Sequence, residues 1–249
     1  MTGPMAEKVL LYLLAFLRAW GVLAFLPVFG SRNVPWMTKA SLALITAFVV
    51  FPFVPESKIE TGAEFLALGA RDFLFGALLG FMGRLFFAAA ETAGQLISYK
   101  IGLGLGEILD VQGEYSLPVI SNFTGLLALL VFLASGGHHF YFKALVESYR
   151  IPLEGKMASV AKGILERSPM VLELALRLSA PLMVLNFLFY LGLVVVGRAV
   201  VQMNVFLVSL PMQVGLGLLG LGVLLPHLPP VMKGTWEGLG RWLLQVLSP

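Results

Sequence analysis

The chain has 249 residues, of which 58% are hydrophobic and only 12% are charged. Soluble domains carry about 25% charged residues, so this composition indicates an integral membrane protein. Cys is absent and only three His occur, which excludes disulfides and Cys-ligated metal centres and gives no basis for a cofactor. The net charge of +3 comes from scattered basic residues, so no nucleic-acid partner is expected.

Apolar segments follow one another along the chain, most of them near the roughly 20 residues that cross a hydrocarbon core of about 30 Å. The segments cover residues 9–29, 38–54, 65–90, 118–134, 172–196 and 205–225. Pro27, Pro52, Pro181 and Pro211 lie within or near the ends of segments, where proline kinks or ends a helix. We therefore expect an all-α integral membrane protein with a single membrane domain.

The charged stretch 141–171 interrupts this pattern. Its spacing of apolar and charged residues is typical of short amphipathic helices, separated by Pro152 and Gly155. We expect these helices to lie at a membrane surface or against a partner.

A second polar stretch, residues 93–113, lies between two apolar segments and is rich in Gly, Gln, Lys and acids. Such a stretch must face water or protein, because its polar groups would have no partners in lipid. The Gly-rich loop 102–118 has the composition of a movable gate, although a plain connecting loop fits as well. A phosphate loop is not expected, because no strand precedes the glycines and no GK[ST] follows them.

Five ionisable residues fall inside predicted spans, where a charge costs about 2.5 to 3.5 kcal/mol on insertion scales. They are Arg18, Arg71, Asp72, Arg84 and Arg177. A polar conduit is one interpretation. For Arg71, Asp72 and Arg177, which lie near segment ends, we favour surface anchoring or structural pairing, and for Arg18 and Arg84 burial against protein.

Small residues define a packing face on the third segment. Gly76 and Gly80 form a GxxxG pair, and Gly83 extends the face, which lets helix backbones approach closely. Arg84 and Glu91 lie seven residues apart on one face, too far for a direct bond, so we expect a neighbouring subunit to pair with them. These five residues are our candidates for packing within or between subunits.

Catalysis is not expected. An intramembrane serine protease needs a Ser nucleophile with a His in reach, and the three His lie near segment ends. An aspartyl protease needs two acids, whereas only Asp72 lies inside a span.

Four stretches together resemble the FliR family of flagellar biosynthetic proteins, which is related to the T component of virulence type III secretion systems. They are FLRAWGVLAFLPVFGSRNVP at 16–35, GALLGFMGRLFFAAAETAGQLISYKIGLGLGEILD at 76–110, SNFTGLLALLVFLASGGHHF at 121–140 and RAVVQMNVFLVSLPMQVGLGL at 198–218. The resemblance covers nearly the whole chain.

The resemblance implies kinked helical hairpins, with a FliP-like portion followed by a FliQ-like portion. It also implies a subunit of the flagellar type III export gate in the bacterial inner membrane, at the flagellar basal body. Its partners would be FliP, FliQ and FlhB, together with membrane lipid and the unfolded flagellar proteins that are exported.

The family's plug loop corresponds to 102–118, so the resemblance implies a pore plug or gate there. The residues expected to face or form it are Gln95, Lys100, Gly102, Gly104, Gly106, Asp110 and Pro118. Val111 departs from the family pattern, in which proline often follows the Asp, and it leaves that turn less rigid.

Two other functions remain open from the sequence. A stand-alone secondary transporter would bind a small solute between broken helices, although no inverted repeat is apparent. An export-apparatus T subunit of a virulence system would share the gating role with different exported proteins.

Overall fold

The computed structural model describes residues 4–26, 35–56, 59, 61–104, 119–151, 153–199 and 205–247. Within these ranges the chain is helical, with no strand. The helices are α1 (Pro4–Phe25), α2 (Trp36–Val50), α3 (Gly62–Lys100), α4 (Val119–Ala134), α5 (Gly137–Glu147), α6 (Leu153–Arg167), α7 (Met170–Ala199), α8 (Val205–Leu224) and α9 (Leu228–Leu247). The 3₁₀ turns Phe51–Phe53 and Leu225–His227 follow α2 and α8.

Five helical stretches among the described residues are long and apolar enough to cross a membrane. A sixth is obtained if α4 and α5, which are bent by 64° at their junction, are taken as one broken span. The expectation of an all-α integral membrane protein is therefore confirmed. Each predicted apolar segment overlaps a helix, and α3 continues ten residues beyond the predicted end at 90.

Prolines and one glycine explain the breaks in different ways. The break between α4 and α5 falls at Gly136, whose φ of 70° lies in the left-handed region that favours glycine. Pro52 lies in the 3₁₀ turn that ends α2. Pro181 and Pro211 lie inside α7 and α8 without ending them, and Pro27 falls outside the described residues.

The chain forms two compact units. The first comprises Met1–Phe86, Leu133–Ser168 and Trp236–Pro249. In this unit the glycine-lined side of α3 packs directly against the backbone of α1. A Cβ at Gly76 would collide with the carbonyl of Arg18, and a Cβ at Gly80 would collide with the carbonyl of Val22. Such close backbone contact is how helices associate without a hydrophobic drive between them.

The second unit comprises Phe87–Phe132 and Pro169–Thr235. Its core is a cluster of buried aliphatic side chains from α4, α7, α8 and the end of α3. The cluster consists of Ile97, Ile101, Ile120, Leu182 and Leu221. Ser121 on α4 donates its hydroxyl to the carbonyl of Glu91 on α3 at 2.8 Å, which fixes the register of these two helices.

The predicted amphipathic region 141–171 overlaps α5 and contains α6. Gly155 does not separate helices there, because α6 begins at Leu153 and runs through it. Pro152 falls outside the described residues. The C-terminal region, in which no apolar segment is predicted, forms α9, which buries one side through residues such as Met232, Trp236 and Leu243.

Candidate functional site

The predicted gate residues lie at the end of α3 and just beyond it. Gln95 is partly buried in the last turns of α3, and Lys100 is its exposed final residue. Gly102 and Gly104 belong to the loop base, which we define as residues 101–104, the described start of the Gly-rich loop. Gly106, Asp110 and Pro118 fall outside the described residues. That these residues face a pore stays a prediction.

The backbone explains why α3 stops where it does. The amide of Ile101 still donates to the carbonyl of Ile97 at 3.0 Å, but that of Gly102 turns to the carbonyl of Tyr99 at 3.4 Å. Gly102 has φ 85°, a left-handed conformation that costs a glycine nothing and strains other residues. The glycine therefore caps α3 and redirects the chain.

The loop base rests on one side of α8. A Cβ at Gly102 would lie 3.6 Å from Leu210, 3.8 Å from Gln213 and 3.9 Å from Val214. Ile101 is fully buried, and its own Cβ lies 2.6 Å from where a Cβ at Gly217 would stand. The start of the predicted gate is thus packed rather than free.

Tyr99 covers the other end of the loop base. A Cβ at Gly104 would collide with the Tyr99 ring, and it would lie 3.3 Å from the Tyr99 Cα. Tyr99 is 55% exposed, so its ring covers Gly104 from the surface of the chain.

A charge cluster of Arg18, Asp72, Ser148 and Tyr149 lies in the first unit. The Arg18 guanidinium donates to Asp72 Oδ1 at 2.6 Å and to the carbonyl and hydroxyl oxygens of Ser148 at 3.0 Å each. It also lies over the Tyr149 ring, 3.8 Å from the ring centre. One buried side chain therefore ties together α1, α3 and the connection between α5 and α6.

Burial strengthens the contacts of this cluster and affects the pKa of Tyr149. The side chains of Arg18 and Asp72 are each 4% exposed, so removing Asp72 leaves Arg18 as an uncompensated buried charge. Burial raises the pKa of the Tyr149 hydroxyl, and the charge of Arg18 offsets part of that increase. The hydroxyl therefore stays neutral at ordinary pH.

A cavity of about 350 Å³ adjoins the charge cluster. Its polar lining includes Arg18, Asp72, Glu64 and Arg71, and the rest is mostly aliphatic. Arg71 approaches the same Asp72 oxygen at 3.7 Å, so that carboxylate is engaged by two guanidinium groups. Among the described residues no group of three His, Cys, Asp or Glu side chains could hold a metal ion.

The charged residues inside the spans fall into distinct classes. Burial of Arg18 against protein is confirmed, and so is structural pairing for Arg71 and Asp72. Arg177 pairs with Glu173 at 2.6 Å on the exposed side of α7. Arg84 is exposed on α3 within this chain, so its burial against a neighbouring subunit stays a prediction.

The predicted packing residues are used mainly inside the chain. Gly76 and Gly80 of α3 pack against the backbone of α1, and a Cβ at Gly83 would collide with the Tyr141 hydroxyl. The expectation that Arg84 and Glu91 lack partners in a single chain is wrong, since each has an interaction partner here. A role for any of these five residues between subunits stays a prediction.

Sequence reasoning did not identify the contact between Ile101 and Gly217. Gly217 is one of several glycines in the last apolar segment, and nothing in the sequence distinguishes it from the others. Glycine spacing signals a close approach but does not tell which distant residue makes it.

Comparison with known proteins places the chain in a family. Residues 9–239 match the family described as bacterial export proteins, family 1. The chain is 31% identical to the flagellar biosynthetic protein FliR of Aquifex aeolicus, over 93% of this chain and 91% of that protein. It is 26% identical to FliR of Escherichia coli over 96% and 93%, and 28% identical to FliR of Bacillus subtilis over 91% and 90%. The chain therefore belongs to family 1 of the bacterial export proteins, together with these flagellar biosynthetic proteins.

Proposed function

We propose that the chain is a structural and gating subunit of the flagellar type III protein export gate. The observation that carries this proposal is similarity over more than nine-tenths of the chain to proteins named for flagellar biosynthesis. The family description adds that the process is export. The chain would act in the bacterial inner membrane at the flagellar basal body, where unfolded flagellar proteins pass.

The loop base supports the gating part of the proposal. A gate needs a firm attachment and a segment that can change conformation beyond it. Ile101 is fully buried and provides the attachment. Gly102 and Gly104 come within the next three residues, and glycine is the residue type that best tolerates backbone rearrangement. The Gly-rich loop 102–118 would close the pore at rest and withdraw when a substrate passes.

Exposed apolar surface supports the proposal that FliP, FliQ and FlhB are partners. Along α7, Val184, Phe187, Leu188 and Val195 are all more than half exposed. Apolar surface of this kind is covered by lipid or by other helices in a membrane protein. We propose that FliP and FliQ cover part of it, and that lipid covers the rest.

Native mass spectrometry tests this proposal. The tagged chain is co-expressed with FliP and FliQ of the same organism, purified in detergent and compared with the chain expressed alone. A defined hetero-oligomer containing all three proteins is the expected result. A lone monomer or homodimer that ignores both partners would contradict the proposal and favour a stand-alone transporter.

The same preparation separates the flagellar assignment from its virulence counterpart. Co-expression with the corresponding components of a virulence system serves as the matched comparison. We expect the chain to form the complex only with the flagellar partners. Preference for the virulence components would overturn the flagellar assignment.

A further inference from the structure

We propose that Ile101 and Gly217 form a seat that sets the resting position of the loop base, so that α8 controls when the gate moves. The proposal rests on the gating function proposed above and adds the residues that position the gate. Ile101 and Gly217 are positioning residues and need not touch an exported protein.

The seat depends on the absence of a side chain at position 217. A Cβ there would lie 2.6 Å from the Ile101 Cβ, much closer than carbon atoms pack. The Cβ of Ile101 is the branch point of a stiff side chain, so it cannot move aside as a flexible end would. Ile101 therefore reaches the backbone of α8 only because residue 217 is glycine.

One continuous side of α8 holds the loop base. Gly102 lies next to Leu210, Gln213 and Val214, and Ile101 lies on Gly217. Positions 210, 213, 214 and 217 have the spacing of a single helical face. The same four residues therefore face the bend at the end of α3 over two turns of α8.

The core of the second unit couples this face to α7. Leu182 of α7 and Leu221 of α8 belong to the same buried cluster as Ile101. A Cβ at Gly220 would lie 2.7 Å from Leu185 and 2.8 Å from Leu182, so α8 also lies close to α7. Movement of the α7 and α8 pair would shift the surface on which the loop base rests.

Gly215 provides a matched control. It lies two residues from Gly217 on α8, and nothing lies within 4 Å of a Cβ placed there. Gly215→Ala and Gly217→Ala make the same chemical change on the same helix. Only Gly217→Ala should disturb the seat.

Thiol labelling of the purified full chain measures the position of the loop base. The chain has no Cys, so Leu103→Cys introduces the sole thiol, at a partly buried position that packs against the cluster of Ile101. We expect Gly217→Ala to raise its rate of labelling by a water-soluble maleimide about tenfold, because over-packing expels Ile101. Gly215→Ala should leave the rate unchanged.

Second-site rescue distinguishes a seat from general damage. In the Gly217→Ala background, Ile101→Ala should bring the labelling rate part of the way back to that of the parent. It removes the Cγ2 atom that a Cβ at position 217 would meet first, and it leaves an unbranched side chain that can shift aside. Ala144→Cys on α5, in a chain without Leu103→Cys, places a thiol at a fully buried position and reports any general loosening. Its labelling should be equally slow in every background. If Gly217→Ala does not fold, Ile101→Val serves instead and should raise the labelling rate severalfold by leaving a small gap.

The outcomes separate the seat from the proposed function. An unchanged labelling rate in Gly217→Ala, or no rescue by Ile101→Ala, would overturn the seat, and labelling needs no partner protein. In cells, Gly217→Ala should reduce secretion of flagellar proteins, and adding Ile101→Ala should restore part of it. Normal secretion despite raised labelling would overturn the coupling of the seat to the gate. Failure of the chain to form a complex with FliP and FliQ would instead overturn the proposed function.

Discussion

Arg18 and Asp72 are charged residues on two largely apolar helices, and each is buried because the other is present. The sequence indicated that Arg18 is buried, because a charge so far inside an apolar segment needs protein around it. It did not identify the partner, because Asp72 lies 54 residues away and residue spacing carries no signal for so distant a contact. The pair also holds Ser148, which fixes the connection that leads to α6.

Asp72→Asn should destabilise the purified chain by about 3 to 5 kcal/mol, because Arg18 is left as an unpaired buried charge. The double change of Arg18→Met and Asp72→Leu should cost less than Asp72→Asn alone, since it removes both charges. Thermal unfolding in detergent measures both effects. Glu173→Gln, which breaks an exposed pair, is the control and should cost no more than about 0.5 kcal/mol. Equal losses for Asp72→Asn and Glu173→Gln would contradict the assigned role of the charge cluster.

Gly76→Ala should also destabilise the chain, by about 1 to 3 kcal/mol, because the added methyl group meets the backbone of α1. Gly192→Ala on α7 is the matched control. A Cβ there meets nothing within 4 Å, so it should stabilise the helix by about 0.5 to 1 kcal/mol. The same unfolding measurement compares the two, and a tolerated Gly76→Ala would show that α1 and α3 do not depend on this close contact.

At the scale of elements, the lengths of the apolar segments and the positions of proline and glycine predicted most of the helices. Each predicted span overlaps a helix, but α3 extends into the polar stretch. A helix can continue there because its backbone hydrogen bonds form within the helix whatever its side chains are. Helix α9 was missed because a regular amphipathic pattern was hidden among glycines and basic residues. The composition of the Gly-rich loop predicts a gate, whereas the packing of the loop base against α8 depends on tertiary contacts that no local pattern encodes.

Gly104→Val should disturb closure of the gate without preventing assembly, because the new side chain displaces the Tyr99 ring from the loop base. An insertion within 107–114 should have the same effect. Dye or ion leakage through membranes containing the complex measures closure, and co-purification with FliP and FliQ measures assembly. Loss of assembly equal to the loss of closure would show that the loop is structural.

At the scale of the whole molecule, the fold class and the family could be predicted from the sequence, because hydropathy and long motifs can be recognised without knowing any tertiary contact. Partner surfaces are harder to predict, because an exposed apolar side chain can face lipid or protein equally well. Arg84 is the best marker of a surface that faces protein rather than lipid, since it is an exposed charge midway along the apolar helix α3.

Arg84→Leu should therefore weaken the complex with FliP and FliQ more than Lys162→Ala, which removes a charge from the exposed side of the amphipathic helix α6. The fraction of complex that survives a detergent series on a native gel measures the difference. Equal survival of the two variants would contradict a subunit contact at Arg84.

Secretion itself tests the central claim most directly. The gene for this chain is deleted in its own organism, and flagellar proteins in the culture medium are quantified with and without a plasmid that restores the chain. The account predicts that secretion disappears on deletion and returns with the intact chain. Secretion at the parental level in the deletion strain would contradict it.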